Sequence, residues 1–290
     1  MCFEHCRPCL PVLLAILLPL ITCPGCSVRE NRDSCPCLLE LDFPDMSAVQ
    51  GVMDDGIVIS LAGLSGNAGG FVLGDTLSTA GGRDGLLKWK SAVPRGHILA
   101  GAVCGEACVH EPCSPPDAWI KIKSGSGCPK IWTACADVDA AVDCVTVPMV
   151  LHKNYTLLTV LVRDASGTPF PFRMEVRGNV CGYAMDGRPV SGMFSAPVEY
   201  LEDVQYRSGD GYVEASVSLP RQNDSSLMLD IVSEDDTARS FAIGNYMEAS
   251  GYDWASPDLK DLTMEIDYSR TVVCIRIGAW RVEEQFEVVI

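Results

Sequence analysis

The feature that most limits what this chain can fold into is a run of short apolar segments. They recur roughly every ten residues and are broken by glycine, proline and acidic residues. Leu38 to Phe43 places Leu39, Leu41 and Phe43 on one face and Glu40 and Asp42 on the other. That alternation predicts a strand with one buried face. Gly56 to Leu61, Leu86 to Trp89, His97 to Cys104 and Trp119 to Lys123 are further predicted strands, with Val93-Pro94-Arg95-Gly96 as a turn. Asp137, Asp139 and Asp143 predict a loop or helical turn. Tyr155 to Arg163 is apolar on both faces and predicts a central strand. Phe170 to Arg177 predicts another strand, followed by a turn region with Gly178, Gly182, Gly187 and Gly192. Tyr212 to Leu219, Leu227 to Val232, Leu262 to Tyr268, Thr271 to Ile277 and Val282 to Ile290 complete the set. No helical periodicity intervenes, so the fold class is all-β, with two sandwiches in series.

The N-terminus carries a different signal. Leu10 to Ile21 is an apolar run of a dozen residues, too short for a bilayer that needs about 20. It has the size of a signal-peptide core and is followed by Thr22-Cys23-Pro24-Gly25-Cys26-Ser27. A small residue before a cysteine is the pattern of a bacterial lipoprotein signal, cut before an acylated cysteine. Cys26 is the expected lipidation site. Cys23 is the alternative, because Leu20 stands three residues before it. The plainer reading is an ordinary secretory signal with incidental cysteines. The expected organisation is a lipoprotein signal peptide over residues 1–25 and a lipidated linker over 26–37. An N-terminal sandwich over 38–148 and a C-terminal sandwich over 149–290 follow. Two or three acyl chains hold a protein to a membrane stably where one does not. Charge alone would not hold it there, since the formal net charge is −16.

That acidity also argues against nucleic acid as a partner, because phosphate binding needs a basic face. Of the 15 cysteines, ten follow Cys26, and six of those lie between Cys104 and Cys144. An even set in an exported chain predicts disulfides, with connectivity left open. Cys104, Cys108, His110 and Cys113 could in principle hold zinc, but disulfides are the favoured fate, so no metal is expected. His97 and His152 lack a partner at metal spacing. Asp54-Asp55 and Glu234-Asp235-Asp236 lack the spaced ligands of a calcium loop. No nucleophile elbow, paired-histidine helix or phosphate loop is present. No catalytic residue and no cofactor is expected.

Several stretches together resemble a known family. They are CSVRENRDSCPCLLELDF (Cys26 to Phe43), VPRG (Val93 to Gly96), VLHKNYTLLTV (Val150 to Val160), LPRQNDSSLMLDI (Leu219 to Ile231) and FAIGNYMEASGYDWASPDLKDLTMEIDY (Phe241 to Tyr268). The chain is similar in these to the fimbrial anchor and minor-subunit lipoproteins of Bacteroidales, found at the base of type V pili. The cysteine cluster from Cys104 to Cys144 departs from that pattern. The resemblance implies two tandem transthyretin-like β-sandwich domains and a lipid anchor in the outer membrane through Cys26. It implies a non-enzymatic role in holding a pilus to the cell surface and limiting its length. It also implies fimbrial shaft subunits as partners, joined by strand exchange. Gly251-Tyr252-Asp253-Trp254 is expected to form a packed corner, with Tyr252 and Trp254 buried and Asp253 capping a turn.

Two further expectations bear on function. The segment Val282 to Ile290 is either the closing strand of the second sandwich or a strand donated to a neighbouring subunit. The competing function is a surface carbohydrate-binding lipoprotein, with Trp89, Trp119 and Trp132 as the platform. Buried indoles would remove that alternative.

Overall fold

A computed structural model describes residues 35–46, 49, 56–78, 87–106, 119–163, 173–200, 212–232, 236, 238–267, 272–277, 280–281 and 286–287. The N-terminal half contributes β1 (Cys37–Phe43), β2 (Ile57–Gly66), β3 (Val72–Leu77), β4 (Leu87–Val93), β5 (Gly96–Gly105), β6 (Ile120–Lys121), β7 (Ile131–Asp139) and β8 (Cys144–Pro148). The C-terminal half contributes β9 (His152–Lys153), β10 (Tyr155–Arg163), β11 (Arg173–Tyr183), β12 (Pro189–Pro197), β13 (Glu199–Tyr200) and β14 (Tyr212–Pro220). It continues with β15 (Met228–Val232), β16 (Ala238–Phe241), helix α1 (Ile243–Ala249), β17 (Leu262–Asp267), β18 (Val272–Ile277), β19 (Trp280–Arg281) and β20 (Phe286–Glu287).

The two halves repeat one topology. In the first, β1 pairs antiparallel with β4 and parallel with β8, while β3-β2-β5-β7 forms the second sheet. In the second, β10 pairs antiparallel with β14 and parallel with β17, while β12-β11-β15-β16 forms the second sheet. The opening strand of each half therefore becomes a central strand, flanked on both sides. For β1 the alternation read from sequence holds: Leu39, Leu41 and Phe43 are fully buried. For β10, Leu158, Val160 and Val162 are buried in the core and β14 and β17 cover its two edges.

The structure corrects several expectations. Asp137 and Asp139 lie on β7, on its exposed face, and not in a loop. Gly178 and Gly182 lie on β11 and Gly192 on β12. Gly178 and Gly192 serve close packing: a Cβ at Gly192 would sit 2.3 Å from Cys181 Sγ, and one at Gly178 would sit 2.9 Å from Leu227 Cδ2. Of the four glycines expected in turns, Gly187 is the one with positive φ, at 79°. Helix α1 was not expected. Its seven residues bury Ile243, Gly244 and Met247. Tyr268-Ser269-Arg270, which the sequence suggests as a short hairpin connection between the strands on either side, lies outside the described residues.

The halves interlock. Strand β6 belongs to the first half by sequence but pairs with β11, and β9 pairs with β7. The segment around β6 lies along the second half through Trp119 N–H to Tyr183 O at 2.8 Å, Ile122 N–H to Cys181 O at 2.9 Å and Cys128 N–H to Ser218 O at 2.8 Å. Trp119 is fully buried at this seam and donates its indole N–H to Ser60 Oγ at 3.0 Å. A single hydrophobic core runs through both sandwiches, and residues 35–290 form one compact unit.

Candidate functional site

The densest polar arrangement lies at the junction of the two halves. Tyr183, at the end of β11, is fully buried. Its hydroxyl donates to Asn154 O at 2.6 Å and accepts from Arg221 N–H at 2.8 Å. Burial pushes this phenol well above its usual range, so it remains a neutral donor. Asn154 in turn donates from Nδ2 to Thr133 Oγ1 on β7, at 3.3 Å. These bonds join strand β7, the β9–β10 connection and the end of β14 at one point.

Arg221 follows β14 immediately and is the hub of the group. Nε donates to Asn154 Oδ1 at 2.7 Å. Nη1 donates to Trp254 O and to Ser256 O, the latter at 2.8 Å, and Nη2 donates to Pro257 O at 3.0 Å. Burial lowers its pKa, with the nearby Tyr183, Tyr252, Asp253 and Asp258 opposing the shift. Among the described residues it has no carboxylate partner at ion-pair distance. The guanidinium thus fixes the corner that the sequence singled out. Tyr252 is buried there and donates to Lys260 O at 2.7 Å; Asp253 Oδ1 accepts from Ala255 N–H at 2.9 Å. Tyr252 and Trp254 meet edge to face with centroids 4.7 Å apart. The expected corner is therefore present, except that Trp254 is half-buried where full burial was expected.

Beside Arg221 opens a cavity of about 440 Å³. His152 stands on its wall and meets Asp258 Oδ2 through Nδ1 at 3.1 Å, while Lys153 N–H donates to Asp258 Oδ1 at 2.8 Å. Burial works against the Asp258 carboxylate, but these two bonds together with the nearby Arg221 cation outweigh it and hold the group below its ordinary range. A larger depression, about 790 Å³, lies on the outer face of β11, β15 and β16. A row of polar groups crosses it. Arg177 engages Asp230 through Nε and through Nη2, the latter at 3.0 Å, and Ser240 Oγ donates to Asp230 at 2.5 Å. Among the described residues, strand β16 is the end strand of its sheet, next to this depression.

Several residues singled out in the sequence are not brought together. The expected lipid site, Cys26, and its alternative, Cys23, lie outside the described residues, as do Cys108, His110 and Cys113. Cys104 is buried on β5. The expectation of disulfides is not met at the described positions: Cys35, Cys37, Cys104, Cys128, Cys135, Cys144 and Cys181 are thiols. They are dispersed over different strands and loops, and some have other contacts. Cys135 Sγ donates to Asp186 O at 3.4 Å, and Cys128 Sγ lies 3.9 Å from the Tyr183 hydroxyl. No cluster of three metal-ligating side chains occurs among the described residues. Asp236 is used by Arg173, at 2.8 Å, and its acidic neighbours Glu234 and Asp235 lie outside the described set, as do Asp54 and Asp55.

The tryptophan platform is overturned. Trp89, Trp119 and Trp132 are 5%, 0% and 7% exposed. Trp89 donates to Asp75 Oδ2 at 2.7 Å, and Trp132 packs edge to face on Tyr155 at 5.4 Å. These indoles are core, not surface. At the other end of the chain, Phe286 and Glu287 pair with Val273 and Val272 of β18. The rest of Val282 to Ile290 lies outside the described residues. Sequence reasoning missed Tyr183, Asn154 and Arg221. The signal available was a lone arginine directly after an apolar strand, in Leu219-Pro220-Arg221-Gln222.

No family model matches the chain, and no curated protein matches it. Solved structures do. The fimbrial anchor protein Mfa2 from Porphyromonas gingivalis superposes with a TM-score of 0.57 at 13% identity, over 85% of this chain and 99% of Mfa2. A Bacteroides thetaiotaomicron structure described as polysaccharide-binding gives 0.59 at 14% identity, over 86% of this chain and 99% of the other. An adhesin structure from the same organism gives 0.56 at 13% identity, over 83% and 96%. The chain therefore has the two-sandwich, all-β fold seen in the fimbrial anchor and adhesin structures of Bacteroidales.

Proposed function

We propose that this protein is a non-enzymatic surface lipoprotein that anchors a fimbria to the outer membrane and limits its length. The observation that carries the reading is the match to Mfa2, which spans both sandwiches and 99% of that chain. The expected lipid on Cys26 would join the fold through a spacer whose dozen residues reach at most roughly 40 Å. Just beyond the spacer lies β1, held by seven register pairs to β4 and five to β8. Load entering from the lipid would run along a central strand flanked on both sides, so it shears many backbone bonds together instead of peeling them singly.

Fimbrial shaft subunits are the proposed partners, joined by strand exchange through the Val282–Ile290 segment. The described part of that segment, Phe286 and Glu287, pairs with β18, and donation would exchange this pairing for one with the partner subunit. Carbohydrate binding is the weaker reading, because the three indoles that would carry it are buried.

The test uses two variants in a fimbriated host. Cys26→Ala should abolish acyl labelling and release the protein from the membrane; retained labelling moves the lipid to Cys23 or ends the lipoprotein reading. Deleting Gln285 to Ile290 should leave the protein exported, lipidated and folded, yet shed fibres into the medium. Fibres retained at normal length would refute strand donation. Loss of the folded protein in a thermal melt would assign β20 to its own sandwich.

A further inference from the structure

We propose that the junction cavity beside Arg221 is a binding site for the carboxyl terminus of a partner polypeptide, one that ends in an aliphatic side chain. The argument begins with charge. The chain carries a formal net charge of −16, yet this wall carries a half-buried cation, Arg221, beside the acid Asp186. The acids nearby are already engaged. Asp186 takes Arg188 N–H at 3.1 Å and Arg188 Nε at 2.5 Å, and Asp258 takes His152 and Lys153 N–H. Arg221 has only neutral oxygens as partners among the described residues: one amide and three carbonyls. Of its five N–H groups, those bonds use four, leaving one on Nη2. A carboxylate arriving there would accept from it directly, where Asp253 and Asp258 act on the guanidinium only through space. His152 stands on the same wall with Nδ1 bonded to Asp258 Oδ2, and with Nδ1 donating there its Nε2 donates only when the ring is protonated.

The remaining wall says what the carboxylate is attached to. Its apolar part is formed by Ala134, Pro148, Val150, Ala255 and Pro257, and Val150 is 47% exposed. Small aliphatic walls suit a terminal valine, leucine or isoleucine. An acidic sugar fits less well, because sugars stack on broad aromatic faces and no Trp, Tyr or Phe lines this cavity among the described residues. At about 440 Å³ the space falls in the range of ligand pockets. Capture of a terminal carboxylate by a preformed group of donors is an established mode of peptide recognition.

The experiment uses the purified full chain and a fluorescently labelled hexapeptide, Ser-Gly-Ser-Gly-Val-Ile, read by polarisation. The free acid should bind at least tenfold more tightly than the C-terminal amide. Val150→Glu places an acid at the exposed rim and should weaken binding of the free acid at least tenfold. His152→Ala, a second wall variant, should change it less than Val150→Glu does. Both positions are partly exposed, so an unchanged melting temperature is expected and is measured alongside. Equal binding of acid and amide, or binding indifferent to Val150→Glu, overturns the proposal. So does the absence of binding at millimolar peptide. Saturable binding of glucuronic acid that Val150→Glu abolishes, with no peptide binding, would overturn it in favour of an acidic sugar.

Discussion

Replacing Arg221 with alanine removes four side-chain hydrogen bonds at once, to Asn154 Oδ1 and to the carbonyls of Trp254, Ser256 and Pro257. A hydrogen bond contributes about 1 kcal/mol net, so the gross loss is about 4 kcal/mol. Relief of holding a cation in a half-buried site returns part of that, on the order of 1 kcal/mol. The expected net destabilisation is about 3 kcal/mol. For a chain of this size that lowers the melting temperature by roughly 6–12 °C. The urea midpoint should fall by about 1 M with an unchanged slope. Arg221→Lys keeps the charge but not the fork, and should lose about half as much. Tryptophan fluorescence reports the corner directly, since Trp254 stacks on Tyr252 beside the lost bonds. A shift below about 1 kcal/mol for Arg221→Ala, or wild-type stability for Arg221→Lys, would refute the view that this guanidinium holds the junction.

Alkylation of the native, non-reduced protein should label Cys35, Cys135 and Cys144, which are exposed thiols, while Cys37, Cys104 and Cys128 react only after unfolding. Mass mapping that finds these residues in disulfides would contradict the structure. Gly96→Ala should be severely destabilising, by about 2 kcal/mol or more, because φ is +144° and a Cβ there would meet Ser65 O at 2.1 Å. A thermal melt within a degree of wild type would show that the backbone relaxes. Asp230 is held below the ordinary carboxylate range, chiefly by Arg177 and also by Ser240, against burial. A depressed folded-state pKa means its contribution is present above the unfolded value near 4 and is lost as pH falls through the folded value. Asp230→Asn should therefore flatten the acid limb of the stability curve and leave that limb unchanged if the Arg177 pairing is idle.

How far the sequence can be read depends on where each cause lies. Strand β1 was legible because its two faces meet different media, and period-two alternation records that difference residue by residue. Strand β10 was legible for the opposite reason: apolar residues on both faces leave it no solvent side, so only a central position suits it. Strand β7 was misread because alanines occupy inward positions where larger side chains would have marked the period, leaving Asp137 and Asp139 to suggest a loop. The glycines of β11 and β12 were misread because glycine has two uses. A turn needs its conformational freedom, whereas Gly178 and Gly192 supply missing volume for Leu227 and Cys181, which come from elsewhere in the chain. Helix α1 is too short for periodicity to show, and its form depends on Gly244 lying against Ser225, where a Cβ would sit 2.2 Å from the Ser225 carbonyl oxygen. The junction was the least legible part, for the same reason in stronger form. Asn154, Tyr183, Arg221 and the corner at Trp254 are separated by dozens of residues, and none is unusual in its local setting. What unites them is that β6 and β9 cross between the halves, which brings polar groups from β7 and β11 to the end of β14. Local pattern can report which face of a strand is wet. It cannot report which distant carbonyls will need a donor, and here the fold meets that need with one arginine.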